Sequence, residues 1–316
     1  MPARRGWVVS EKAKRNFFKP AFGIARMLIR YGGGSRWKIV LWQRFCHPYL
    51  NWRGYQKIVK TDFQASMFCR SSDLVQQRIM FFGVWEPNAS AFICRRLLEG
   101  DGFIDIGANV GYFSLLAAAR VGRHGLVLAV EVAPAIFREL IANIELNGSL
   151  HVRAVNQAVS NRRGSVGLYA APNDNIGATT TVPSDRYPKI AEIPCAPLDH
   201  IATPEELARA RIVKIDAEGA EVDILSDIST KLHLFRYDVE FLVEITIAAF
   251  DASGISVEAI LTRIRDAGFR IYQMPNDYSI EAYARKKRVA HPIVISELPS
   301  KGQIDLLLSR AAPEMM

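Results

Sequence analysis

The sequence predicts an α/β fold: a mostly parallel sheet with helices on both faces, preceded by a basic helical extension. From residue 101 onward, short β-rich runs alternate with helical patterns, as in chains that build parallel sheets. One strand-to-helix connection, FIDIGANVGYFSLLAAA at residues 103–119, contains a glycine turn of the kind that usually holds a ligand. With 316 residues, 49% of them hydrophobic, the chain can bury a core of ordinary size.

Nine strands and five helices are predicted in this α/β region. The strands are expected at 102–106, 125–131, 151–157, 164–170, 190–196, 211–216, 239–245, 269–273 and 304–309. The helices are expected at 112–121, 134–146, 204–210, 218–228 and 256–267. The second helix is predicted from three local features. Pro134 suits a first helical position, one apolar stripe follows it, and Asn147-Gly148 is a signal for the end of the helix.

The positive charge is concentrated in residues 1–60. These contain fourteen Lys or Arg against one acid, Glu11, whereas the remainder contains 26 Lys or Arg against 31 acids. They also contain eleven aromatic residues. We expect two short basic amphipathic helices near 20–31 and 36–46, within an extension over 1–76 that precedes a catalytic domain over 77–316.

Three roles stay open for this extension. Cationic helices with interleaved tryptophans suit an anionic membrane surface. The same helices can instead cap the catalytic domain, with their charges in solvent. Nucleic acid is the least favoured partner, although basic and aromatic side chains suit phosphates and bases.

The cysteine pattern and the chain ends predict a cytoplasmic protein. Cys46, Cys69, Cys94 and Cys195 are too far apart for a zinc pair or a small disulfide framework, which favours a reducing compartment. No secretory signal is recognisable, and no apolar run approaches the roughly 20 residues of a spanning helix. We predict no metal ligands, and expect at most peripheral contact with the inner face of a membrane.

The glycine turn does not fit a dinucleotide loop. In a G-x-G-x-x-G loop, the positions of Asn109 and Tyr112 would both be glycine, and no G-K-[S/T] follows for a P-loop. Asp105, at the end of the first strand, suits a ligand that presents a cation, such as S-adenosylmethionine. Glu131, after the second strand, is placed to accept hydrogen bonds from ribose hydroxyls, but an acid there serves NAD enzymes equally well.

Further polar residues follow the later strands. Asn156 and Gln157 end the third strand, where an adenine edge would lie. In the block KIDAEGAEVDIL at 214–225, Asp216 ends a buried strand and Glu218 and Glu221 follow across a helix start. Acids in a first helical turn are also stabilised by the helix dipole, and this alternative is strongest for Glu221.

Two more candidates concern substrate. Glu244 closes the strand FLVEI and shares the sheet edge with Asp216. Residues 171–189 form a polar stretch with three prolines, which predicts a long loop. Asn175, Gly177 and Thr180 on this loop are candidates to close over a substrate; the alternative is a solvated surface loop.

Five segments together resemble the FkbM-type S-adenosylmethionine-dependent methyltransferases: FIDIGANVGYFSLL, VEVAP, ANIELNG, NQAVSN and VKIDAEGAEVDIL, across about residues 78–246. The resemblance implies a class I methyltransferase fold, with a seven-stranded sheet and a reversed last hairpin. It implies methylation of a hydroxyl, commonly on a sugar or other secondary metabolite. By resemblance, the cofactor site would be lined by Asp105, Gly107, Asn109, Gly111 and Glu131, and the acidic signature near the reaction centre would be Asp216, Glu218, Gly219 and Glu221.

One departure from the family pattern is visible. After Glu131 the family usually has an asparagine-bearing turn before its proline, whereas this chain has Val132-Ala133-Pro134. This puts a polar contact in doubt, and leaves the expected ribose contact unaffected.

The expected activity is therefore methyl transfer to an oxygen atom, with S-adenosylmethionine as cofactor. An alcohol must lose its proton, so a general base is required, and Asp216 and Glu218 are the candidates. Acceptors would be sugars, glycans, glycolipids or related metabolites. The alternative is a catalytically inactive scaffold that keeps the fold and sits at a membrane; the intact acids at 105, 131 and 216 argue against it.

Overall fold

A computed structural model provides the three-dimensional description of the protein. It describes residues 22–52, 55–149, 151–170, 179–181, 187–247, 256–285, 290–299 and 301–315. Among the helices in these ranges, none has the combination of length and apolar character that crossing a bilayer requires.

Twelve α-helices and thirteen strands are present in the described ranges. The helices are α1 (22–31), α2 (Arg36–Leu41), α3 (His47–Trp52), α4 (Leu74–Phe82), α5 (Pro87–Arg96), α6 (Tyr112–Val121), α7 (Pro134–Glu145), α8 (Leu198–Ile201), α9 (Pro204–Arg209), α10 (Glu221–Ile228), α11 (Val257–Asp266) and α12 (Ile280–Arg285). The strands are β1 (Gln56–Lys60), β2 (Ser66–Arg70), β3 (Gly102–Ile106), β4 (Leu126–Val130), β5 (Val152–Val155), β6 (Ala158–Val159), β7 (Gly164–Tyr169), β8 (Lys189–Ala196), β9 (Ala210–Ile215), β10 (Glu240–Thr246), β11 (Arg270–Gln273), β12 (Ile293–Val294) and β13 (Gln303–Ser309).

The main sheet has the strand order β12-β11-β13-β10-β9-β3-β4-β5. The strands from β10 to β5 are parallel, and β13 runs antiparallel to both of its neighbours. The sheet thus has a reversed hairpin at one end, which confirms the predicted class I methyltransferase fold. The described sheet has eight strands instead of the expected seven, because the two-residue β12 pairs with the outer side of β11.

Helices cover both faces of this sheet. Neighbouring residues of β3 face opposite sides: Phe103 packs into one apolar core with α6 and α7, and Ile104 packs into the other with α10 and α11. Two smaller β structures lie outside the main sheet, the β1–β2 hairpin and the three-stranded β6-β8-β7 sheet. The core strands are therefore buried on both sides, as in other doubly covered parallel sheets.

Most of the predicted elements are confirmed. All nine predicted strands are present with ends shifted by two residues or fewer, and the helix at 112–121 has the predicted bounds. Helical structure is also present at 22–31 and from Arg36, where α2 continues into a π-helical turn over Trp42–Cys46. The β1–β2 hairpin, α4, α5 and α12 were not predicted. The division at residues 76 and 77 stays a prediction about domains; residue 77 itself lies within α4.

A backbone contact at Gly107 positions the carboxyl edge of the sheet. The backbone N–H of Asp216 donates to Ile106 O at 2.9 Å, and the N–H of Gly107 donates to Val130 O at 2.9 Å. Gly107 has a φ of +81°, and a Cβ placed on it would lie 1.7 Å from the carbonyl oxygen of Asp216. Only glycine allows the first turn to approach the end of β9 this closely.

Replacing Gly107 by alanine should therefore destabilise the protein by about 3 kcal/mol, since a left-handed L residue costs about 1–2 kcal/mol and the overlap with Asp216 adds to it. Denaturant-induced unfolding measures this difference. Gly148→Ala is the matched control, because Gly148 also has a left-handed φ of +60° but no atom lies within 4 Å of the added Cβ. Equal losses in the two variants would contradict the proposed close contact.

Candidate functional site

Two clefts open at the carboxyl edge of the main sheet and meet at a common wall. The empty space at the first cleft, including open solvent, is about 560 Å³, and that at the second is about 990 Å³. Both are lined by Gly107, Asn109, Asp216 and Glu218. The strand order reverses between β3 and β9, and open α/β sheets bind their ligands at such a reversal. These four residues therefore stand at the junction of the two clefts.

Glu131 projects into the first cleft from the end of β4. Its side chain accepts backbone N–H groups from Asn109 and Ala133, both at 2.8 Å, so that one bond reaches each carboxylate oxygen. Glu131 is 5% exposed. Burial raises its pKa to about 7, although the two backbone bonds oppose this shift. Each oxygen keeps a lone pair, so the carboxylate can accept two further hydrogen bonds from a ligand.

The opposite wall of the first cleft contains Gln157 and Ala158. Gln157 thus lies where the sequence places it. Asn156 has a different role, because its Nδ2 donates to the carbonyls of Glu131 at 2.7 Å and Val132 at 3.0 Å. This amide stabilises the turn after β4. The turn Val132-Ala133-Pro134 therefore receives its polar contact from the residue that follows β5.

Asp105 and Gly111 do not line either cleft, although Ile106, next to Asp105, lines the first and Val110 and Tyr112, on either side of Gly111, line the second. Asp105 is 1% exposed; its Oδ2 accepts the Ser114 hydroxyl at 2.6 Å, and its Oδ1 has no hydrogen-bond partner in the described structure. Burial raises the pKa of Asp105, and the nearby ammonium of Lys214 lowers it. Gly111 begins α6 with a left-handed φ of +90°.

The turn after β9 presents Glu218 to both clefts. Glu221 accepts the backbone N–H groups of Ala217 and Gly219 at 2.9–3.0 Å, which fixes this turn. Within it, Glu218 has the left-handed φ of +47°, a backbone state that is uncommon outside glycine and clusters at functional sites. Burial, followed by the charges of Asp216 and Glu221, raises the pKa of Glu218 to about 7.

Part of the predicted substrate loop lies next to this turn. The hydroxyl of Thr180 donates to the carbonyl oxygen of Glu218, and Thr180 pairs with Tyr169 in a short bridge. Its neighbours Thr179 and Thr181 line the first cleft. Asn175 and Gly177 lie outside the described residues.

Lys214 is the principal site residue that the sequence reasoning missed. Its side chain is 5% exposed, Nζ binds Asp216 Oδ2 at 2.7 Å, and Nζ lies 4.9 Å from the ring centroid of Phe113. Burial would lower the pKa of Lys214, but the carboxylates of Asp216, Glu86 and Asp105 raise it. The sequence signal was a lysine within the otherwise apolar strand RIVKI.

Additional acids surround Lys214 at the second cleft. Burial raises the pKa of Glu86, Glu244 and Asp305. The Tyr278 hydroxyl donates to Glu86 Oε1 at 3.1 Å, and Gln303 Nε2 donates to Glu244. Glu244 was predicted; Glu86 and Asp305 were not, although an aspartate in the apolar strand IDLLLS was a readable signal for Asp305.

The acids at the two clefts could bind different kinds of ligand. Carboxylate oxygens of Glu86, Asp216 and Glu244 lie within 4.8 Å of one another, a spacing that allows one cation. The ammonium of Lys214 already supplies positive charge there through its bond to Asp216. The first cleft offers a different donor set, with one buried carboxylate and the neutral wall at Gln157 and Ala158.

Among solved structures, the similarity is distant. Aeropyrum pernix fibrillarin with natively bound S-adenosyl-L-methionine is 13% identical with a TM-score of 0.39, over 80% of this chain and 92% of that one. A SAM-dependent O-methyltransferase from Thermotoga maritima is 14% identical with a TM-score of 0.37, over 81% and 78%. An rRNA methylase from Streptococcus thermophilus is 10% identical with a TM-score of 0.39, over 70% and 93%. Likeness at this level carries no argument about function.

The sequence comparisons are more informative. Methyltransferase sdnD of Sordaria araneosa is 26% identical over an alignment of 200 residues, and the match covers 53% of this chain and 73% of that protein. The sequence model named "Methyltransferase FkbM domain" matches residues 105–271, more than half of the chain. This match extends from the Asp105 turn, through Glu131, Lys214 and Glu218, to β11. The protein therefore belongs to the FkbM domain family of S-adenosylmethionine-dependent methyltransferases.

Proposed function

We propose that the protein transfers a methyl group from S-adenosylmethionine to a hydroxyl of a sugar, a glycan or glycolipid, or a related secondary metabolite. The observation that carries the proposal is the junction of the two clefts at Gly107, Asn109, Asp216 and Glu218. A methyltransferase needs one space for the cofactor and another for the acceptor, with a shared opening between them. In this protein, two carboxylate residues, Asp216 and Glu218, belong to the lining that the two clefts share.

The first cleft fits the cofactor. Glu131 has unused lone pairs for the two ribose hydroxyls, and such bonds would offset the cost of burying its charge. Gln157 and Ala158 offer side-chain and backbone groups to the adenine edge. When bound, S-adenosylmethionine supplies an electrophilic methyl group carried on a sulfonium.

Glu218 is the base that this site supports best. It lines both clefts, and its pKa of about 7 keeps it partly ionised at neutral pH while leaving it basic enough to take a proton. The Glu218 carboxylate would take the proton of the acceptor hydroxyl as the hydroxyl oxygen forms its bond to the methyl carbon; the bond between that carbon and sulfur would break, and S-adenosylhomocysteine would be the leaving group. Asp216, whose Oδ2 is held by Lys214, is oriented beside it to accept a hydrogen bond from the acceptor.

The second cleft suits a polyhydroxylated acceptor. Its volume is about 990 Å³, and its lining includes Glu244, Gln303 and Tyr278, which offer hydrogen-bonding groups of both kinds. Trp85 also lines the cleft, with its ring 5.5 Å from the ring of Tyr278. An apolar ring face beside several polar groups matches a sugar, which has C–H groups on its faces and hydroxyls around its rim.

Removing the Glu131 carboxylate charge should weaken cofactor binding. In Glu131→Gln, the dissociation constant of S-adenosylhomocysteine is expected to rise roughly 10- to 100-fold, because hydrogen bonds to a charged group contribute about 1.5–3 kcal/mol. Isothermal titration calorimetry measures it. Glu145→Gln, at the exposed end of α7, is the control and should bind as the wild type does. Unchanged affinity in Glu131→Gln, or binding of NAD by the wild type in place of S-adenosylhomocysteine, would overturn this cofactor site.

Removing the Glu218 base should strongly reduce turnover while cofactor binding is retained. In Glu218→Gln, kcat is expected to fall about 100-fold or more, the usual contribution of a general base, while S-adenosylhomocysteine still binds. The wild-type kcat should rise with pH and level off above about 7, because the deprotonated carboxylate is the active form. Transfer of labelled methyl groups to a panel of sugar nucleotides and glycolipids measures both effects.

The comparison variant for this experiment is Asp223→Asn, on the next helix turn and outside both clefts. It should keep the turnover of the wild type. Full activity in Glu218→Gln, or a kcat independent of pH between 5 and 9, would contradict a base at this position.

A further inference from the structure

Helix α1 has apolar side chains on two faces. On the inner face, Phe22, Ala25 and Ile29 are buried, and Phe22 contacts the rings of Tyr55 and Phe81 at 5.1 and 5.2 Å. The contact with Phe81 anchors α1 to α4. This inner face is the one through which α1 would cap the catalytic domain.

The outer face of α1 has no such cover in the described structure. Its side chains recur at helical spacing and are strongly exposed: Ile24 by 57%, Met27 by 55%, Leu28 by 44% and Tyr31 by 70%. These positions follow the i, i+3, i+4, i+7 pattern of a helix that buries an apolar stripe. A stripe of large apolar side chains in water marks an interaction surface.

Helix α2 extends this stripe. Trp37 and Val40 are 38% and 55% exposed. The Trp37 ring lies against the turn after α1, since a Cβ on Gly32 would be 2.7 Å from it. We call the six side chains the outer stripe: Ile24, Met27, Leu28, Tyr31, Trp37 and Val40.

The two helices that carry the outer stripe lie in a stretch of sequence without acidic residues. Residues 22–60 contain no Asp or Glu, and Arg36 and Arg44 are exposed beside the stripe on α2 and on the π-helical turn. Basic groups next to exposed apolar and aromatic side chains are the pattern of helices that lie in a membrane interface. Four of the six side chains are aliphatic, which favours acyl chains over the bases of a nucleic acid.

We infer that the outer stripe docks the protein on the surface of an anionic lipid bilayer, with the stripe in the headgroup region and Arg36 and Arg44 on lipid phosphates. The docked helices are anchored to α4, and Leu74 at the start of α4 lines the second cleft. Docking would therefore hold the acceptor cleft near the bilayer, where a lipid-linked acceptor is found. The inference concerns binding and stands apart from the methyl transfer proposed above.

Vesicle flotation of the full chain tests it, with vesicles of phosphatidylcholine alone or mixed with phosphatidylglycerol. The wild type should float with the mixed vesicles and stay in solution with the neutral ones. Met27→Ser/Leu28→Ser/Tyr31→Ser should lower the vesicle partition coefficient roughly 100-fold, and Arg36→Gln/Arg44→Gln should lower it roughly 30-fold, since each large apolar group and each basic residue contributes of the order of 1 kcal/mol and about 1.4 kcal/mol is a factor of ten.

The matched control is Leu98→Ser/Tyr237→Ser, which removes two side chains that are 66% and 80% exposed outside the stripe; it should float as the wild type does. Thermal unfolding and S-adenosylhomocysteine binding verify that each variant is folded. Three results would overturn the inference: no flotation of the wild type with mixed vesicles, flotation unaffected by the stripe variant, or binding to an RNA oligonucleotide or to a second copy of the chain, with no flotation. Because flotation needs neither cofactor nor acceptor, its outcome is independent of whether methyl transfer is detected.

Discussion

The buried ammonium of Lys214 is the charge on which the carboxyl edge of the sheet depends. Asp105, Asp216 and Glu86 each lie close enough to raise its pKa, and Nζ bonds directly to Asp216. Removing one partner of a buried ion pair leaves an uncompensated charge, which is far more costly than the pair itself. Carboxylates gathered this closely repel one another; the Lys214 ammonium offsets part of that repulsion, and burial raises the pKa of Glu86 and Glu244.

The turns after β3 and β9 place these charged residues at the proposed reaction centre. The contact of Gly107 with the Asp216 carbonyl brings the turn after β3 against the end of β9, so the two clefts share a wall. Glu221 then shapes the short turn that holds Glu218 in a left-handed conformation between them. Lys214, Asp216 and Glu218 follow one another within five residues, and all three acquire their positions from a strand end and the turn after it. The base is thus placed by rigid elements, which is what positioning a reacting hydroxyl requires.

The sequence predicted what depends on local pattern. Alternating apolar runs located every strand of the main sheet except the two-residue β12, and acids at the ends of predicted strands led to Asp105, Glu131 and Asp216. The sequence could not predict contacts between residues that are far apart in the chain. Glu86 is followed by an ordinary helix start, and nothing local signals that its carboxylate reaches the cluster around Lys214. Glu221 looked like a helix-dipole acid, and its bonds to the N–H groups of Ala217 and Gly219 arise only in the folded turn. Helix α1 was predicted to be amphipathic, but its second apolar face could be recognised only after the first was seen to be buried.

A crystal structure with S-adenosylhomocysteine is the most direct measurement of the central claim, that the two clefts divide cofactor from acceptor at the Asp216–Glu218 turn. We expect ribose hydroxyls bonded to Glu131, adenine beside Gln157, and the Glu218 carboxylate facing an open second cleft. Density for the ligand in the cleft of Trp85 and Tyr278, or a ribose bound away from Glu131, would contradict the assignment of the two clefts and, with it, the role of Glu218 as the base.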